Sequence, residues 1–291
     1  MKIKERIIES LLALSALVTV FTTGMILFVL LSEAYYFFSE VSIVEFLTET
    51  EWTPLFAKKK FGILPLLTGT MLTSFIAILV ALPIGLTIAI YLNEYSSKTF
   101  KAIIKPLLEL LAAVPTVVYG FFALMVVTPF LQTLIPGLSG FNSLSAGFVM
   151  GIMIIPYVSS LSDDAISAVP KTMREGSLAL GASRFQTAFK VMIPSAASGI
   201  IVSIILAISR AVGETMIVAI AAGQQPRLTL DPTVPIETIT TYIVQVSLGD
   251  VPHDSIEYRT IFAAGITLFV FTLLLNNISY WFNKKYHQKY E

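Results

Sequence analysis

The chain has 291 residues, 55% of them hydrophobic and only 13% charged, with a mean hydropathy of +0.81. A soluble domain carries about 25% charge, so the composition excludes an ordinary soluble fold and defines a membrane protein. Positive and negative side chains balance to a net charge of zero, which argues against nucleic acid as a partner; the absence of cysteine excludes disulfides, thiolate metal sites and cysteine nucleophiles.

In chain order, six apolar stretches reach the roughly 20 residues a helix needs to cross the hydrocarbon core: 8–31, 64–92, 106–130, 144–161, 191–222 and 261–282. None has the alternating rhythm of a barrel strand, so the expected fold is an all-α membrane protein, one transmembrane domain over residues 1–291. The first stretch follows Lys2, Lys4 and Arg6, as a secretory leader would. It is longer than the roughly 7–15 apolar residues of a leader's core, so it reads as a retained helix. The fourth is short and interrupted by Pro156; Pro83 and Pro115 are expected kinks in the second and third. Pro115, Thr116 and Tyr119 suit packing better than lining a path.

The connecting segments set the orientation. With the N-terminus inside, the inner segments hold Lys2, Lys4, Arg6, Lys98, Lys101, Lys105, Lys171, Arg174, Arg184, Lys190, Lys284, Lys285 and Lys289. The outer ones hold only Lys58, Lys59, Lys60, Arg227 and Arg259, so the positive-inside bias predicts six spans with both termini cytoplasmic. Two outer segments are long: 33–60, with Glu33, Glu40, Glu45, Glu49 and Glu51, and 223–259, with four prolines around a short apolar stretch at 239–246. Ordinary loops and a docking surface for an outside partner both suit them. The Lys58–Lys60 run reads as solvated charge, and Asp163 and Asp164 at the inner boundary receive no role. His253 and His287 stand far apart in polar flanks, so no metal site is expected, and no cofactor.

The inner segment 163–190 has local structure of its own. Pro170, then Thr172 and Glu175 in capping-box spacing, predict a helix start; Gly181 predicts its stop. The helix between them carries few basic residues and no aromatic, so facing a protein suits it at least as well as lying on lipid. The chain has no phosphate-binding loop, no nucleophile elbow and no H-E-x-x-H, so ATP hydrolysis would need another chain.

The fifth stretch breaks the apolar rule with Arg210 and Glu214. Read as one continuous helix, it places Arg210 about twelve residues, or roughly 18 Å, before Ala222, too deep for easy snorkelling. Arg210 and Glu214 are four apart and would share a face, which Ser203 and Gly199 extend and Gly213 flanks. Two readings stand. A neutralised pair glues helices together, or the stripe lines a substrate path; the second is favoured because a buried ion pair is a poor stabiliser. A guanidinium is the planar donor that suits an oxyanion.

Glu175-Gly176-Ser177, Gly181, then Val191, Ile193 and Pro194 resemble the EAA loop of ABC importer permeases, E-A-A-x3-G-x9-I-x-L-P, with the spacing matched throughout. Gly176 and Ser177 replace the two alanines, and Val191 and Ile193 the Ile and Leu. FGILPLLTGT at 61–70, ELLAAVPTVVYGFFAL at 109–124 and SRAVGETM at 209–216 are similar to the phosphate-specific permeases of the PstC type, over nearly the whole chain. The sister PstA type shares the Arg–Glu spacing but is expected to carry Ala-Pro where this chain has Met216-Ile217.

The resemblance implies the MetI-like architecture of a type I ABC importer with a cytoplasmic coupling helix, in a bacterial or archaeal cell membrane. It implies a PstA-like sister permease forming the path, an ATP-binding subunit dimer, an extracytoplasmic phosphate-binding protein and inorganic phosphate as cargo, with membrane lipid around it. Glu175, Gly176, Ser177 and Gly181 would couple to the ATPase; Arg210, Glu214 and Ser203 would line the path, and this chain would not itself be an enzyme. Glu214 would either neutralise Arg210 or accept a hydrogen bond from protonated phosphate. The alternatives are a permease for another oxyanion or small solute and a secondary anion transporter.

Overall fold

The computed structural model describes residues 2–286; His287 and Lys289 lie outside them. Within that range the chain is all-helical apart from two isolated bridges. The elements are α1 (Lys2–Glu40), α2 (Ile43–Thr48), α3 (Leu64–Glu94), α4 (Lys98–Ala112), α5 (Thr116–Leu134) and α6 (Ser143–Ser167). There follow α7 (Lys171–Ala179), α8 (Arg184–Ser195), α9 (Ala197–Val212), α10 (Met216–Ala221), α11 (Ile239–Leu248) and α12 (Ile256–Tyr286). Among the described residues, five helices are long and apolar enough to cross a membrane, and six if the bent pair α8–α9 counts as one span.

The third and fifth spans differ from the expected boundaries. The third is Thr116–Leu134, not 106–130. Pro115 lacks an N–H and disfavours helical geometry at Val114, so the chain breaks there and α4 becomes a separate helix. Ser97 caps α4, accepting from the Phe100 amide at 3.2 Å. The fifth stretch is not the single helix expected over 191–222. α8 and α9 meet at 73° around Ala196, just after Pro194, and a second break at 213–215 separates α9 from α10. Pro129 and Pro194 each follow a π-helical turn, because a proline cannot donate to the preceding turn and its ring pushes that turn open.

The fourth span runs on to Ser167 and is the most buried of the candidate spans. Asn142 caps it, accepting from the Ser145 amide at 2.7 Å. α3 packs along it where glycine permits close approach: a Cβ on Gly147 would stand 2.8 Å from the Ile76 Cβ, and one on Gly85 2.7 Å from the Val158 Cβ. The main apolar core joins α3, α5, α6, α9 and α10. At the end where α3 begins, α1, α2, α11 and α12 close around a chain of edge-to-face aromatics, including Trp52 on Tyr242 at 5.0 Å. At the opposite end, Ala89, Ile166, Met192 and Ile200 form a smaller cluster beside α7. The spanning part of α1 is exposed to its surroundings and rests mainly on α12.

α7 starts earlier than the capping box predicts. Pro170 is its N-cap residue and Thr172 lies inside the helix, which starts without a side-chain cap. The expected stop is present: Gly181 has φ +84°, its amide bonds the Leu178 carbonyl at 3.0 Å, and the Ala182 amide bonds that of Ser177 at 3.2 Å.

Candidate functional site

Arg210 lies in the last turn of α9 and Glu214 in the break beyond it. They do not share a helix face, as a continuous helix would require, yet the break brings them together. Arg210 Nη1 donates to Glu214 Oε2 at 2.9 Å. The other carboxylate oxygen accepts from the backbone amides of Met216 at 3.1 Å and Ile217 at 3.4 Å. Glu214 therefore caps α10 and anchors Arg210 at once, while a guanidinium at the C-terminal end of α9 also suits that helix's dipole. Thr240 Oγ1 donates to the Glu214 carbonyl at 2.8 Å, holding the break from outside the helix.

The two side chains differ sharply in exposure: 2% for Glu214 and 35% for Arg210. The carboxylate is closed and both its oxygens are occupied. The guanidinium has five N–H donors; one is on Glu214 and Nη2 rests 3.9 Å from the Met153 sulfur on α6, so an open edge of donors remains. Such an edge has the donor geometry to grip an oxyanion.

Ser203 stands apart. It is buried, lies 2.9 Å from the Ser162 hydroxyl of α6, and donates to the Ile200 carbonyl at 2.8 Å. Gly199, one turn earlier, faces Ala165, whose Cβ would be 2.6 Å from an added Cβ. This part of the small-residue stripe seats α9 on α6 rather than opening to the guanidinium. Tyr119 bonds the Leu111 carbonyl at 2.8 Å across the Pro115 break and packs in the main core.

On α7, Glu175 and Gly176 are exposed, and nothing lies within 4 Å of a Cβ placed on Gly176. Ser177 instead binds inward, 3.0 Å from the buried Thr187 hydroxyl, and Gly181 shapes the turn.

Several groups were not legible beforehand. Asp163 is buried and paired to Lys101 at 2.6 Å, while Asp164 meets Lys105 at 2.7 Å. Arg174 of α7 meets Glu94, the last residue of α3, at 2.9 Å. Lys59 and Lys60 are not merely solvated; Lys59 pairs with Glu257, and Lys60 with Glu49 at 3.3 Å. Glu237 is buried with Oε1 unpartnered, and loss of hydration pushes its carboxyl up to about 8. It borders a cavity of ≈ 360 Å³ with Trp52, Gln224, Gln225, Arg227 and Tyr242, between the two long loops. Sequence separations of roughly 60 to 200 residues hid most of these pairs, Lys60 with Glu49 apart; the one local signal is the TxTT cluster after Glu237, where Thr238 caps α11.

The chain belongs to the family described as binding-protein-dependent transport system inner membrane component, whose model matches residues 81–288. Among curated relatives it is 35% identical to the probable ABC transporter permease protein YqgH of Bacillus subtilis, over 82% of this chain and 78% of that one. It is 34% identical to the phosphate transport system permease protein PstC of Mesorhizobium japonicum, over 79% and 75%. It is 32% identical to the probable phosphate transport system permease protein PstC of Methanocaldococcus jannaschii, over 90% of each. Its fold is similar to a crystal structure of a bacterial alginate ABC transporter in complex with alginate pentasaccharide-bound periplasmic protein, with TM-score 0.64, 18% identity and 94% of each chain covered. It is also similar to the MetNI methionine ABC transporter in an inward-facing conformation, with TM-score 0.53 and 15% identity over 76% of this chain and 94% of that one. The architecture is thus that of an ABC importer permease.

Proposed function

We propose that the chain is the PstC-type permease subunit of an ATP-driven importer of inorganic phosphate. The single observation that carries the reading is the Arg210 guanidinium, one-third exposed inside an apolar bundle and pinned by a carboxylate that is itself closed. The relatives named for phosphate transport supply the identity of the anion. Arg210 is the transient phosphate ligand. Glu214 is its holder and counter-charge: both of its oxygens already have partners, so it is not a second phosphate ligand in this state.

A PstA-like subunit provides the other half of the path, an extracytoplasmic binding protein delivers the anion, and an ATPase dimer supplies the energy. The exposed face of α7 at Glu175 and Gly176 suits the ATPase contact, with Ser177 and Gly181 holding that helix in shape. The α7 end then faces the cytoplasm, with both termini, and the α11 end faces outward. Ser203 supports the path indirectly, through α9 packing.

The test is Arg210→Gln in the assembled complex, reconstituted in vesicles with the binding protein outside. Uptake of labelled phosphate is lost while assembly and ATP binding remain. Normal uptake by that variant would sink the reading.

A further inference from the structure

α7 has no buried residue, so little packing ties it to the bundle. Its polar ties are Ser177 to Thr187 and Arg174 to Glu94, beside the half-buried Met173 on the Ala89–Ile200 cluster. Glu94 is an unusual partner. Its side chain is only 1% exposed, its Oε2 accepts from Arg174 Nε at 2.9 Å, and its Oε1 has no partner. A buried carboxylate in that state depends on a single cation, so the two residues move together or leave a charge stranded.

Glu94 is the last residue of α3, a continuous helix of 31 residues, roughly 46 Å long. The far end of α3 meets the brace of the Arg210 site. Thr70 Oγ1 accepts from the Ile239 amide at 3.1 Å at the start of α11, and Gly69 lies so close that a Cβ there would sit 2.2 Å from the Glu237 carbonyl. One residue beyond Ile239, Thr240 holds the Glu214 carbonyl. α3 is also fastened to α6, by the glycine contacts and by Asn93 on Ser167 at 2.7 Å, and α6 carries Met153 against Arg210. The direct chain from α7 to Arg210, by contrast, is not straight: it passes through the 73° bend at Ala196.

We infer that Arg174 and Glu94 strap α7 to α3, and that α3 acts as a connecting rod carrying movement of α7 to the α11 brace of the Arg210–Glu214 break. Arg174, Glu94 and Thr70 are positioning residues for transport. This rests on the reading that α7 docks the ATPase. The strap explains why a helix with so little buried surface reaches a buried carboxylate at the end of α3, and why a glycine and a threonine hydroxyl of α3 meet the start of α11 at the other end.

The experiment uses the complete complex in vesicles and measures ATP hydrolysed per phosphate imported, at matched amounts of assembled complex. Glu94→Ala and Arg174→Ala each raise that ratio about tenfold, within the usual span of coupling between sites, and Glu94→Gln, which preserves side-chain size, raises it in the same direction. The double variant is no worse than the worse single one, since each residue acts through the other. Thr70→Val, which removes the acceptor for the Ile239 amide, raises the ratio as well. An unchanged ratio in Glu94→Ala or in Thr70→Val, or single effects that multiply in the double variant, overturns the inference. Failure of the docking reading is separate: it shows as intact ATPase co-purification in Glu175→Lys, whatever the Glu94 variants do.

Discussion

Replacing Glu214 by glutamine separates its two jobs. The amide oxygen can still accept from the Met216 and Ile217 amides, so the cap on α10 survives. The ion pair to Arg210 does not, because the amide nitrogen would face a second donor. A hydrogen bond to a charged group contributes about 1.5–3 kcal/mol. Breaking a wholly buried pair costs about 3–5 kcal/mol. Arg210 is 35% exposed, so water screens the stranded guanidinium and the lower range applies. Glu214→Ala loses the cap as well, about 1 kcal/mol more.

The assay is thermal unfolding of the assembled complex in detergent, beside phosphate uptake in vesicles. The glutamine variant unfolds several degrees lower and the alanine variant lower still. Uptake falls in both, because Arg210 without its counter-charge holds the anion and releases it slowly. The Arg210→Gln, Glu214→Gln double variant is no less stable than Glu214→Gln alone, since the pair acts as a unit. Uptake lost in Glu214→Gln with wild-type unfolding would refute the reasoning and assign Glu214 to the phosphate instead of to Arg210.

Ser203→Ala costs about 1 kcal/mol through the lost contact with Ser162 and leaves the affinity for phosphate unchanged; a raised KM in uptake assays would return Ser203 to the path. Glu175→Lys abolishes ATPase co-purification while the variant folds normally, because that side chain is exposed on α7. Glu237 makes stability pH-dependent. Its carboxyl titrates near 4.5 when unfolded and about 8 when folded, so the folded state holds the extra proton between those values. Stability is full below 4.5 and falls by up to about 1.4 kcal/mol per pH unit towards 8, where the loss levels off. Glu237→Gln flattens that slope in apparent Tm measured from pH 5 to 8.5, and parallel slopes in the two proteins would exclude Glu237 as the cause.

The spans were legible because twenty apolar residues in a row have few alternatives to a membrane helix, and four of the six stretches lie within the observed candidate spans. Their ends were not. Pro115 sits near the middle of the third apolar stretch, and hydropathy does not register that it lacks an amide hydrogen; geometry does, and moves the start of the span ten residues along. The turn at Gly181 was readable because a left-handed residue there is a local matter. The Thr172 capping box was a false match, since Pro170 had already begun the helix. The ion pairs beneath α3 and α6 depend on which helices meet, and no local pattern announces that Lys101 will find Asp163.

The break at 213–215 changes what the Arg210–Glu214 spacing means. On an unbroken helix, two residues four apart would stand equally exposed on one face, and any anion reaching the arginine would meet the carboxylate too. Ending α9 at Val212 lets Glu214 turn inward. There it satisfies the first amides of α10 and keeps a 2.9 Å bond to Arg210, with 2% of its side chain exposed. Its negative charge thus meets a helix end and a guanidinium rather than standing exposed beside Arg210. Gly213 supplies the low helix propensity at the stopping point, and Thr240 on α11 keeps the loosened backbone from drifting. The same four-residue spacing that suggests a shared face is better understood as the shortest loop that lets a carboxylate hold an arginine from behind.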